Sequence, residues 1–197
     1  MNRRVLILSG VALAYLVARE WETAPIEHDP GVLAPRAPVQ ANLEPSVFAF
    51  DGYQLTRRAR FEIRARVLST RNYYLQRESD LSPVDLALGW GPMSDQAVLD
   101  RITIRQSGRW YRTRYEHPAP LPDQQIIMNS SNMHMIPAAK GIGRQLKKIR
   151  EGQVVTLRGF LVDVDHDSGW AWRTSLSRND TGAGACEIVY VESVVVE

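Results

Sequence analysis

The chain carries a single cysteine, Cys186, so an internal disulfide is excluded and stability must come from a packed core. Its four histidines, His28, His117, His134 and His166, share no zinc-site spacing with one another or with Cys186, which argues against a metal centre. Lysine is scarce: only Lys140, Lys147 and Lys148 stand among 24 basic residues. That skew reads as coding bias, with an arginine-lined surface as the alternative. Neither sign of charge is in strong excess, because 22 acidic residues leave a net charge of +2, and a nucleic-acid binder tends to carry more. The apolar run Val5 to Ala18 has only fourteen residues, short of the roughly 20 that span a bilayer comfortably.

What is present is a chain of 197 residues, 44% hydrophobic and 23% charged, the makeup of one globular domain plus extras. Met1-Asn2-Arg3-Arg4 ahead of the apolar run is the pattern of a Sec-type signal or anchor. Arg3, Arg4 and Arg19 reach the two interfaces and Trp21 suits the outer one, so residues 1–21 are expected to be a signal anchor or transmembrane helix. A cut after Ala18 would put bulky Leu16 at the minus-three position, which favours retention. No cysteine follows the run, which excludes a lipoprotein. The positive-inside rule then places the protein in the bacterial inner membrane, single-pass, with its C-terminal part in the periplasm. Residues 22–46 hold Pro25, Pro30, Pro35, Pro38 and Pro45 and few large apolar side chains, the composition of an extended tether. The folded domain is expected over 47–197.

Within it, Ala59 to Leu68 alternates, with Phe61, Ile63, Ala65 and Val67 on one face and Arg60, Glu62, Arg64 and Arg66 on the other, as in a half-buried strand. Ser82 and Pro83 have the form of an N-cap and first helical residue, predicting a helix that ends at Gly89. A second short helix is expected from Ser94 or Asp95, and a hairpin over 102–115 turning at Ser107-Gly108. A short strand near Ile126 to Met128 follows, then a helix from Pro137 to Arg150 with Ile142, Leu146 and Ile149 on one side. Strands are expected over 154–164, 170–175 and 186–196, with Gly159 at a bend. The fold class is α+β and β-rich, an OB-like or half-open small barrel with one or more short helices; an α+β sandwich has the same element list.

Candidate chemistry gathers between Asn129 and Glu187. Cys186 follows the Gly-rich run 180–185, and with His134 as base and Asp180 as orienter it would make a thiol nucleophile for hydrolysis. A lone Cys opening a strand is more often a small buried hydrophobe, and no Cys-hydrolase signature surrounds it. Arg178 and Asp180 either pin the Gly-rich loop or, with Ser175, line a groove for a polar ligand. Asp163, Asp165 and Asp167 alternate, yet a solvated hairpin tip explains them better than a cation site. Trp110, Arg112 and Arg114 on one strand form either a stacking platform for bases or a sheet edge whose arginine stems cover rings.

Three segments, Asp85-Leu86-Ala87-Leu88-Gly89-Trp90-Gly91-Pro92-Met93-Ser94-Asp95, Asn132-Met133-His134-Met135-Ile136-Pro137-Ala138 and Gly182-Ala183-Gly184-Ala185-Cys186-Glu187, resemble those of an uncharacterised bacterial family of membrane-anchored or exported proteins. The resemblance covers Pro83 to Val191 and implies a bacterial source; it supplies no activity, cofactor or catalytic residue. The sequence thus favours a periplasmic binding domain for an envelope protein or polymer, without catalysis or cofactor, contacting its partner around Trp90, Trp110, Trp170 and Arg178. A thiol hydrolase using Cys186 and His134 is the second reading, and an OB-like nucleic-acid module the third.

Overall fold

The computed structural model describes residues 24–75, 77–177 and 185–197. The first strand, β1 (Val39–Phe50), turns through Asp51-Gly52 into the long β2 (Tyr53–Asn72). A one-turn helix α1 (Arg77–Leu81) leads to β3 (Val84–Gly89), and a 3-10 turn (Gly91–Ser94) to α2 (Gln96–Leu99). The hairpin β4 (Ile102–Ser107) and β5 (Trp110–Tyr115) follows, then α3 (Asp123–Met128), β6 (Ser130–Pro137) and α4 (Lys140–Leu146). The chain ends with β7 (Val154–Asp165), the two-residue β8 (Ala171–Trp172) and β9 (Glu187–Val196).

β2 is long enough to serve three neighbours. One edge carries β1 from Tyr53 to Glu62 and β3 from Arg66 to Asn72, while the other carries β7 from Gln54 to Arg66. Because β3 pairs with β6, β6 runs parallel to β9 and β9 pairs with β7, the order β2-β3-β6-β9-β7 returns to β2 as a ring. The core lies inside it, formed by Phe61, Ile63, Ala65 and Val67 of β2 with Val84, Leu86, Leu88, Met133, Met135, Leu157 and Val189. The alternation seen in the sequence is what aims those β2 residues inward. At the expected bend, Gly159 sits beside a register shift, and a Cβ there would lie 1.9 Å from the carbonyl oxygen of Tyr190. Only glycine lets β7 and β9 approach that closely.

Five stretches differ from expectation, one being Ser130–Pro137, which forms β6 with Pro137 inside it, so that the helix expected over 137–150 is confined to Lys140–Leu146. Val84–Gly89 is a strand, with every residue buried, because it is wedged between β2 and β6. A short apolar run flanked by Ser-Pro cannot be told from a helix start by its pattern alone. Residues 123–128 form α3 in place of a strand. The strand expected over 170–175 shrinks to Ala171–Trp172. The Pro-rich stretch is no extended tether over its described part: Ile26 N–H donates to the Glu151 carbonyl at 2.9 Å, Ala34 N–H to Ser94 Oγ at 3.0 Å, and Ala34 is buried. Backbone groups, which composition does not reveal, hold this strap, and β1 begins at Val39, before the expected domain boundary.

No helix among the described residues is long and apolar enough to cross a membrane, and the expected anchor lies outside them.

Candidate functional site

The same strands that build the core carry a polar cluster on their outer face. Asp85 on β3 is the register partner of His134 on β6, so their side chains emerge together, and both are buried. An acid inside an apolar strand needs a counter-charge. It is supplied by Arg109, at the tip of the β4–β5 hairpin, whose Nη1 donates to Asp85 Oδ1 at 2.7 Å. The hairpin turn has positive φ at Gly108 (58°) and at Arg109 (69°), the two-residue geometry that matches strand twist. A side chain in that conformation costs about 1 kcal/mol or more, offset here by what Arg109 touches. Its N–H donates to Tyr73 Oη at 3.1 Å, its carbonyl accepts from Asn132 Nδ2 at 3.1 Å, and its guanidinium lies 4.0 Å from the Tyr73 ring centroid. Gln106 Nε2 donates to Asn132 Oδ1 at 2.6 Å, so the hairpin is clamped to β6 from both strands' ends. Burial, and next the negative charge of Asp85, push the Tyr73 phenol up, keeping it protonated.

His134 is tilted 42° against the Trp172 ring at 4.5 Å. Its Nδ1 comes within 2.9 Å of Asp85 Oδ1 but is not aligned for a hydrogen bond with it. Nδ1 and Asp85 Oδ2, together with Nε and Nη2 of Arg109, are buried atoms with no hydrogen-bond partner among the described residues. Such groups cost about 1–3 kcal/mol each if left unmade, and here they are gathered in one corner of the fold.

The cluster opens into a cleft of about 340 Å³ walled by Arg109, Trp110, His134, Trp170, Trp172 and Cys186, with Glu78 and Arg173 at its margin. Trp172 comes from β8, held by pairing with Val164, and Trp170 stands 6.0 Å from it. Cys186 is half-buried, and its carbonyl accepts from Ser175 N–H at 3.1 Å, which fixes the entry to β9. The cleft can therefore stack a flat or apolar group on indole rings and offer the remaining N–H groups of Arg109 to an acceptor.

Of the residues singled out from sequence, His134, Cys186, Trp110 and Trp170 meet in this cleft. Trp90 does not: it is 2% exposed and packed in the core cluster, with its backbone N–H donating to the Asn129 carbonyl at 2.9 Å. Asp180 and Arg178 lie outside the described residues. The aspartate found beside His134 is Asp85, which the sequence reading missed along with Arg109 and Trp172. A lone acid within Val84-Asp85-Leu86-Ala87-Leu88 was the available signal. Asp163 is taken by Arg58 at 2.5 Å and Asp165 by Arg173 at 2.5 Å, and no metal-holding group of three His, Cys, Asp or Glu exists among the described residues.

Comparison with known protein families, with curated proteins and with solved structures found no match.

Proposed function

We propose that this is a binding protein of the bacterial envelope, tethered to the inner membrane by its N-terminal segment, whose periplasmic OB-like domain takes a segment of an envelope protein or polymer without chemical turnover. The ring-like strand order, the parallel pair β6–β9 and a helix between β6 and β7 support the OB-like reading. In such barrels ligands lie on the outer face of the second and third strands, between the loops joining strands one to two and four to five. The corresponding elements here are β3 and β6 and the connections 73–83 and 166–186. The observation that carries the reading is the cleft at that place, floored by buried polar atoms lacking partners and walled by three tryptophans.

The test is photo-crosslinking in living bacteria with the full chain carrying a photoreactive residue at Trp110, Trp170 or, as control, Val195. Discrete products at the two cleft positions and none at Val195 are expected. Equal products at all three, or none at any, would sink the reading.

One observation favours a second reading, thiol chemistry: Cys186 and His134 line the same cleft, with Asp85 beside the imidazole. It requires His134 to draw the proton from the sulfur. The weaker case is nucleic acid, for which Trp110 and its arginine neighbours supply the only support.

A further inference from the structure

The outer face of the β4–β5 hairpin is a cationic trough. In register, Arg105 stands opposite Arg112, Thr103 opposite Arg114 and Ser107 opposite Trp110, all on the solvent side. Like charges directly opposite on paired strands are destabilising. Among the described residues no carboxylate comes within ion-pair distance of Arg105, Arg112 or Arg114, so none of the three is directly paired. An open groove of about 1170 Å³ runs along this face, with Asp100, Arg101 and Glu116 also on its lining. Trp110, 43% exposed, lines both this trough and the tryptophan cleft, so the two form one track.

We propose that this track binds an acidic polysaccharide, with its carboxylates on Arg105, Arg112 and Arg114 and a sugar ring against Trp110. The proposal rests on the binding reading of the cleft and names its ligand class. Charge complementarity requires an anion, and concavity fits a chain better than a flat lipid surface. Planar guanidinium forks match carboxylates. On the lining four arginines, Arg101 together with Arg105, Arg112 and Arg114, stand against two acids, Asp100 and Glu116, whereas a nucleic-acid groove carries a stronger basic excess.

The experiment is calorimetric titration of the full chain, in detergent, with three probes: a galacturonic-acid hexamer, the same hexamer fully methyl-esterified, and an oligothymidylate of similar length. The acid hexamer is expected to bind about tenfold or more tighter than the ester, and more weakly as salt rises. The triple variant R105Q/R112Q/R114Q, altered only at solvent-facing positions, should lose about tenfold or more for the acid hexamer, and W110A should weaken both sugars. Equal binding of acid and ester, or an unchanged triple variant, overturns the proposal. Tighter binding of oligothymidylate than of the acid hexamer also overturns it, in favour of nucleic acid. If no probe binds while crosslinks at Trp110 and Trp170 still capture a partner, the ligand class is wrong and the cleft reading survives; if both fail, both fall.

Discussion

β3 and β6 present two faces of opposite character, and alternate residues decide which is which. Inward, Val84, Leu86, Leu88, Met133 and Met135 fill the core within the ring of strands. Outward, Asp85 and His134 meet Arg109, and Ala87 and Asn132 lie under the hairpin. The inward face is complete, whereas the outward one leaves buried polar atoms without partners beside an open cleft. A one-residue slip in register would exchange the two, so the core also fixes the site. One face is thus satisfied within the fold, and the other is where we place the proposed ligand.

That contrast can be broken most severely through ring closure. Gly159→Ala places a methyl within 1.9 Å of the Tyr190 carbonyl, and the variant should lose cooperative unfolding in a circular-dichroism melt. A sharp, near-normal melt would show that β7 and β9 have room to part.

Next in size, Asp85→Ala strips the counter-charge from half-buried Arg109 and should cost about 3 kcal/mol in urea unfolding. The paired replacement Asp85→Leu with Arg109→Met removes both charges and should recover most of that loss. Crosslinking at Trp170 should vanish in the paired variant all the same. Stability and crosslinking both restored would make the outward cluster merely structural.

On the inward face, Leu86→Ala should cost about 3 kcal/mol through the cavity it leaves, with crosslinking at Trp170 kept in whatever fraction stays folded. Loss of crosslinking from fully folded protein would mean the two faces are not separable.

The smallest effect belongs to the exposed Arg64–Glu197 pair on the outside of the sheet. The hydrogen bond from Arg64 holds the Glu197 carboxyl below its ordinary value of 4.5. The unfolded chain therefore takes up this proton at higher pH than the folded one, so the contribution is complete above about pH 4.5 and is lost as pH falls through the folded value. Solvent screening keeps it to about 0.5 kcal/mol. Arg64→Gln should flatten the acid limb of the stability curve by that amount, and an unchanged limb would remove the pair from the account.

Much of the inward face was legible in the sequence and little of the outward one. Phe61, Ile63, Ala65 and Val67 declared themselves by alternation, the β4–β5 hairpin by its turn, and α4 by Leu146 with Ile149 after it. Each of those signals is local. β3 was misread because Ser82-Pro83 imitates a helix cap, and only pairing on both edges makes it a strand. His134 and Cys186 were chosen for their chemistry, but Asp85 and Arg109 meet across 24 positions of chain, through a hairpin folding back on a strand. Such contacts belong to topology, and no spacing in the sequence displays them.

The central claim is that the outward face holds a ligand rather than turns one over, and Cys186 reports on it directly. Its alkylation rate in the native full chain, followed against pH, should superimpose on that of the His134→Ala variant, since a binding site has no need of an activated sulfur. A thiol that reacts fast near neutral pH and slows about tenfold or more without His134 would contradict the claim and make Cys186 a nucleophile.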